Sequence, residues 1–354
     1  MRYISIILFL FILISGCTDT PLTSIKKIDV DTTAISTFPL NAPIYGWEKV
    51  DAISSLSYFA FNSQGNIYFI NGSKLYYADK NFIIKDTITV PLTDGTLSLY
   101  PSKIFINESD ILFLAEYSGF NHHLFVSTDK GKTWLSPGGF HDTQIVSFYS
   151  NGSRIYITSG AGGESEAMVQ LSENNGNDWR TIINNGTSGY FDFCLENELN
   201  KLFFVGNSTL YYSINYGVTI TSNKLNIQYP WDISISFGLN NNLLIGTDGG
   251  IYLTKNNGIK WQSIYKNTDP IYFITLFNAP DGLIYSMNRW NKNSIDQGLK
   301  SVYISKDGGF TWYCFLTQLD GYYYGTFQIG KDGYLYVIAK VNNVNKLYRS
   351  TVKL

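Results

Sequence analysis

Ser305-Lys306-Asp307-Gly308-Gly309-Phe310-Thr311-Trp312 returns almost unchanged as Ser127-Thr128-Asp129-Lys130-Gly131-Lys132-Thr133-Trp134, and both fit S-x-D-x-G-x-T-W. Looser copies open at Ser172, which keeps Asn174, Gly176 and Trp179, at Ser213, which keeps Asn215, Gly217 and Thr219, and at Thr254, which keeps Asn256, Gly258 and Trp261. The opening positions 127, 172, 213, 254 and 305 stand 45, 41, 41 and 51 residues apart. An eight-residue pattern at that period marks one supersecondary unit stacked many times.

The pattern has the physical logic of a hairpin tip. A carboxylate or amide at the third position accepts hydrogen bonds from nearby backbone N–H groups, and glycine at the fifth supplies positive φ without a Cβ clash. Apolar runs such as Leu124-Phe125-Val126 and Val302-Tyr303-Ile304 lead in, and Thr-Trp starts the next strand, with the indole laid against the sheet. These residues resemble the Asp-box, or BNR, repeat of sialidases, sortilin-type receptors, xyloglucanases and photosystem assembly factors. The resemblance implies that each box joins the third and fourth strands of a propeller blade, is structural, and lies on the face opposite the functional one. Asp129 and Asp307 are then scaffold residues, not catalysts.

Blade counting follows. Second-strand candidates centre on Ile67-Tyr68, Leu112-Phe113, Ile155-Tyr156, Leu202-Phe203, Leu243-Leu244, Ile284-Tyr285 and Leu335-Tyr336, which makes seven. Degenerate box positions fall at Ala78-Asp79 and at Arg349-Ser350, and the seventh unit runs out of chain after its third strand. Its missing strand has a donor in Tyr45-Gly46-Trp47-Glu48-Lys49-Val50. The expected fold is all-β, a seven-bladed propeller of four-stranded antiparallel blades whose last blade is completed by this N-terminal strand, so that no sheet edge stays open. Aromatics at 16%, with 27 Tyr and 31 Gly but nine Pro, suit many short strands and tight turns, and no stretch shows helical periodicity.

Upstream, Met1-Arg2 and the apolar run Ile4–Ile14 read as a signal peptide, too short to span a bilayer. The ending Ile14-Ser15-Gly16-Cys17 resembles a bacterial lipobox, which implies lipidation of Cys17 and an exported protein anchored in the cell envelope. Thr18, in place of Asp, points by the same analogy away from inner-membrane retention. Residues 1–16 are then the signal, 17–36 the lipidated cysteine and a polar tether, and 37–354 the propeller domain. Cys194 and Cys314 belong to the fourth and sixth blades, too far apart for a disulfide, and are expected as free thiols. A net charge of −2 provides no basic footprint for nucleic acid, and a monomer is expected.

The candidate ligand surface is the face formed by the loops between second and third strands and between blades. There the sequence places Asp142, Trp231 and Asp232, Tyr272, Arg289 and Trp290, and Tyr323; rings beside Asp, Asn and Arg suit a sugar, whose C–H face packs on an aromatic while its hydroxyls take hydrogen bonds. His122 and His123, read as loop residues, and His141 have no ligand spacing, so neither metal nor cofactor is expected. The first functional expectation is a non-catalytic binder of glycan or protein partners. The alternative is a glycoside hydrolase, which needs two carboxylates about 5 to 9.5 Å apart; Asp142, Asp232, Asp269, Asp320, Glu116 and Glu164 are the candidates. A sialidase is disfavoured: the resemblance calls for three arginines on the substrate carboxylate and an Arg-Ile-Pro signature. Only Arg154, Arg180, Arg289 and Arg349 follow the signal, three of them in or beside strands, and the signature is missing.

Overall fold

The computed structural model describes residues 45–90, 100–118, 121–138, 140, 144–160, 166–184, 191–197, 200–206, 208–225, 233–247, 250–266, 274–279, 282–288, 302–316, 319 and 322–354. Within them the chain forms seven antiparallel sheets, each an up-and-down meander, and the only helix is one 3-10 turn at Leu239–Asn241. In blade 1 the strands are Tyr58–Phe61, Ile67–Asn71, Lys74–Ala78 and Ile84–Ile88. Blade 2 has Tyr100–Ile106, Leu112–Ser118 and Asn121–Ser127, and its fourth position is held by Leu135, which exchanges both backbone hydrogen bonds with Val126 at 2.8 Å. Blade 3 has Gln144–Asn151, Arg154–Gly160, Met168–Ser172 and Arg180–Asn184; blade 4 has Phe191–Glu196, Leu202–Gly206, Thr209–Ser213 and Thr221–Lys224. Blade 5 has Ser234–Phe237, Leu243–Thr247, Gly250–Thr254 and Gln262–Lys266, and blade 6 has Ile274–Asn278, Ile284–Asn288, Val302–Ser305 and Tyr313–Leu316. Blade 7 runs Tyr322–Ile329, Tyr334–Val341 and Val344–Lys353.

The outer strand of blade 7 comes from the other end of the chain. Trp47–Ser54 lies antiparallel to Val344–Lys353, with Trp47 opposite Ser350 and Lys49 opposite Tyr348. The Gly46 N–H donates to Thr351 Oγ1 at 3.0 Å, Arg349 pairs with Glu48, and the Tyr45 N–H donates to the Phe315 carbonyl of blade 6 at 3.2 Å. The segment therefore touches blades 6 and 7 before it leads into blade 1.

Alternation along each second strand builds the ring. Successive side chains of a strand point to opposite faces, and both faces here meet another blade, so the strands read as unbroken apolar runs. Ile67 and Phe69 pack with Tyr336 and Ile338 of blade 7, while Tyr68 and Ile70 pack with Leu112 and Leu114 of blade 2. Phe113 and Ala115 turn the other way, to Ile155 and Ile157 of blade 3. The same division repeats through four further buried clusters until blade 6 meets blade 7 through Met287, Leu335 and Val337. The core is thus seven interblade slabs and no central mass. Four fully buried tyrosines, Tyr68, Tyr156, Tyr285 and Tyr336, share one second-strand position. Burial pushes the Tyr68 phenol up to about 12, and burial with a hydrogen bond to Asp332 raises that of Tyr336.

Candidate functional site

The five eight-residue turns share one geometry. The opening hydroxyl, of Ser127, Ser172, Ser213, Thr254 or Ser305, donates to the Asp or Asn two residues on at 2.9–3.0 Å. The same oxygen accepts the N–H of Gly131, Gly176, Gly217, Gly258 or Gly309 at 2.7–3.0 Å. Asp129, Asn174, Asn215, Asn256 and Asp307 then each accept the N–H four residues on at 2.8–2.9 Å. These acceptors are consumed by their own turns. The five glycines have φ between +81° and +97°, and a Cβ on the first four would stand 2.6–2.7 Å from a side chain of the preceding blade. Each turn is therefore a wedge as well as a hairpin tip.

The sequence reading put Trp134, Trp179, Trp261 and Trp312 within fourth strands. The structure places them one residue earlier: the three fourth strands that follow such a tryptophan begin at Arg180, Gln262 and Tyr313, and Leu135 follows Trp134. The reason is a hydrogen bond inside the turn, from the indole N–H to the glycine carbonyl three residues back, at 3.0 Å for Trp179 and 2.9 Å for Trp312. In blade 2 the Trp134 indole instead reaches the Thr89 carbonyl of blade 1 at 3.2 Å.

In the Asp129 turn, hydrogen bonds from the Thr133 hydroxyl and N–H hold the carboxyl down to about 2. A carboxylate with a depressed pKa stabilises the fold above its unfolded value and loses that contribution as pH falls through the folded one. We expect an acid-sensitive component of stability between pH ~4 and ~2, and we expect it to vanish in Asp129→Asn, since Asn already does this work in three sister turns. Thermal melts of the two proteins from pH 5 down to pH 2 would show it; parallel melting curves across that range would contradict it.

The first-to-second hairpins lie at the same end as these turns. Asn175 N donates to the Ser153 carbonyl at 3.0 Å, and Asn107 Nδ2 of blade 2 donates to Asn175 Oδ1 of blade 3 at 3.3 Å. Side chains of Asn62, Asn107 and Asn197 fold these hairpins by accepting backbone N–H groups at 2.9–3.1 Å. This repeated asparagine was missed in the sequence, although its place just ahead of each second strand signals it.

At this end the channel opens into a cavity of about 630 Å³, lined by first strands of blades 3 to 7 and their hairpins. Phe148, Phe237, Phe277 and Phe327 supply rings, and Asn197, Asn241 and Asn278 supply amides. Phe148 stacks on Phe105 at 5.4 Å and Phe277 meets Phe327 at 4.8 Å, which carries the wall across two blade junctions. Glu196 also borders it but is held by Arg154, Nη2 to Oε1 at 2.6 Å and Nε to Oε2 at 3.2 Å, and by the Tyr156 hydroxyl at 2.8 Å. Arg154 lies 4.6 Å above the Tyr216 ring of the adjoining box. The cavity can hold a ligand by ring and amide contacts, and the carboxylate at its border is engaged by Arg154 and Tyr156.

Of the residues singled out on the opposite face, Asp142, Trp231, Asp232, Tyr272, Arg289 and Trp290 lie outside the described residues, as do Cys17, Asp269, Asp320, Glu164 and His141. Tyr323 belongs to a first strand, opposite Ala339, and not to an interblade loop. Glu116 and His123 are likewise strand residues, cross-strand neighbours in blade 2 that are 1% and 6% exposed, and His122 shares that strand. The hairpin there is tight, because Ser118 pairs directly with Asn121. Among the described residues no group of three metal-ligating side chains converges.

No protein-family model and no curated protein matches the chain. Solved structures do. YCF48 from Cyanidioschyzon merolae aligns with a TM-score of 0.54 at 12% identity, over 86% of this chain and 98% of that one. YCF48 bound to D1 peptide aligns at 0.57 and 10%, over 88% and 98%. The GH74 xyloglucanase from Xanthomonas campestris aligns at 0.57 and 12%, over 83% of this chain and 52% of its own. The shared feature is the seven-bladed propeller. At such identities the likeness is one of fold alone.

Proposed function

We propose that this chain is an exported, lipid-anchored propeller that binds a glycan or protein partner without chemistry. The observation that carries the reading is made among the described residues: Asp129 and Asp307 are spent in turns, Asp110 accepts from the Ser63 N–H and hydroxyl, and Glu196, the carboxylate beside the axial cavity, is paired with Arg154. The likeness to YCF48 bound to D1 peptide supports a scaffold of this shape holding a partner. Trp231, Asp232, Arg289 and Trp290 on the loop face remain the proposed contacts, and Cys17 the lipidated residue.

The likeness to a xyloglucanase keeps a second reading, a two-carboxylate hydrolase on the loop face. Screening the full-length protein against arrayed glycans, with reducing-end assays on every hit, separates the two. Retention lost in Trp290→Ala with no release of reducing ends supports the binder. Release of reducing ends that disappears in Asp232→Asn supports the hydrolase, and a protein indifferent to Trp231→Ala and Trp290→Ala removes the loop-face site.

A further inference from the structure

Of eight exposed large apolar side chains among the described residues, seven stand at the end of the propeller that carries the box turns, and only Val344 stands at the other. Ile83, Ile84 and Leu135 stand on blades 1 and 2, and the other four, Ile214, Val218, Leu239 and Ile259, stand together on blades 4 and 5. At the sixth position of the turn, blades 2 and 3 carry Lys132 and Asn177, whereas blades 4, 5 and 6 carry Val218, Ile259 and Phe310. The turn geometry is the same in all five, so the hairpin does not demand the change. Val218 is 73% exposed, Ile259 66%, and Ile214 on the same blade-4 turn 65%. Around them the box segments 213–220, 254–261 and 305–312 hold three lysines, Lys255, Lys260 and Lys306, against one carboxylate, Asp307, which its own turn consumes. Adjacent apolar tips ringed by lysines form a surface that water solvates poorly and an anionic interface solvates well.

A second observation fixes the occupant. Trp47 pairs with Ser350 and Gly46 bonds Thr351 at this same end, and Tyr45, where the described residues begin, bonds Phe315 of blade 6. Cys17 stands only 28 positions before Tyr45. We propose that the turns of blades 4 to 6 are a membrane-facing surface, with the exposed Ile214, Val218 and Ile259 in the headgroup layer and Lys255, Lys260 and Lys306 on anionic headgroups. The inference rests on the lipid-anchored reading above and gives it an orientation: the loop face points away from the bilayer.

Lysine footprinting tests it on the wild-type, full-length protein in vesicles of phosphatidylcholine and phosphatidylglycerol. A water-soluble acetylating reagent is applied before and after detergent release, and the Cys17 peptide is weighed for acyl chains in the same digest. Lys255, Lys260 and Lys306 are expected to react several-fold more slowly on the vesicles, with Lys224 and Lys340, at the opposite end, unchanged. The variant V218D/I259D, altered only at exposed positions, should lose the protection while keeping the wild-type melting temperature. Acylated Cys17 with uniform lysine reactivity overturns the surface and leaves the anchor standing. Unmodified Cys17 removes the anchor, and vesicles that still shield the three lysines then keep the surface. Shielding seen in intact cells but not on vesicles assigns this face to a protein partner and also overturns the proposal.

Discussion

Replacing Arg154 with alanine is expected to lower the stability of the propeller by about 3 kcal/mol, because it strands a buried carboxylate. The Glu196 side chain is 0% exposed and sits at the junction of blades 3 and 4. Its charge is tolerated there because the guanidinium grips both oxygens and the Tyr156 hydroxyl adds a third bond. Taking away the arginine leaves the desolvation cost of Glu196 unanswered, while the ring of Tyr216 loses the cation over its face. The Arg349–Glu48 pair is the control. Its partners are 31% and 47% exposed, so Glu48→Ala should cost roughly 0–1 kcal/mol. Chemical denaturation of the single variants and of R154M/E196L decides the matter. The double variant is expected to recover most of the loss, since an apolar pair of similar volume needs no solvation. A loss below about 1 kcal/mol in Arg154→Ala would show that water reaches Glu196 and that the pair does not clasp the blades.

Gly176→Ala is expected to cost about 2 to 5 kcal/mol from two sources that add. The first is conformational: φ is +87°, a region where a Cβ costs about 1–2 kcal/mol. The second is steric: the new methyl would lie 2.6 Å from Phe113 Cε1 and 3.3 Å from Val126 Cγ1 of blade 2, and overpacking of that kind typically costs about 1–3 kcal/mol. Gly152→Ala isolates the first source, since its φ is +60° and nothing stands within 4 Å of its Cβ position. Melting temperatures should fall clearly further for Gly176→Ala than for Gly152→Ala. Equal losses would mean that blade 2 yields to the methyl and that the turn is not wedged against it.

The fold was legible because its determinants are local and repeated. A Ser-x-Asp/Asn-x-Gly turn declares itself wherever it occurs, and the apolar runs that begin at Ile67 and Ile111 mark strands buried on both faces. The surface was legible only in part. Glu116, His123 and Tyr323 were read as loop residues, yet the second and third strands of blade 2 extend through Glu116 and His123, and the first strand of blade 7 begins before Tyr323. The axial cavity was not foreseen. It is assembled from one ring or amide of each of five first strands, Phe148 and Phe327 being nearly 180 positions apart, and no local pattern encodes such a meeting. The apolar turn tips were not foreseen either, although Val218 and Ile259 standing where Lys132 and Asn177 stand elsewhere signal them.

Hydrogen bonds between Glu48 and Arg349, and between Gly46 and Thr351, join residues 301 and 305 positions apart. At about 5–20 residues per second, the strand Trp47–Ser54 is made tens of seconds before its partner Val344–Lys353. Blades 1 to 6 are local in sequence, but the seventh is complete only when Val344–Lys353 meets Trp47–Ser54. A chain lacking Val344–Lys353 would leave two raw strand edges, those of Trp47–Ser54 and Tyr334–Val341, and an aggregation-prone product. Damage to Val344–Lys353 therefore unseats Trp47–Ser54, the earliest of the described strands, as much as it disturbs its own blade.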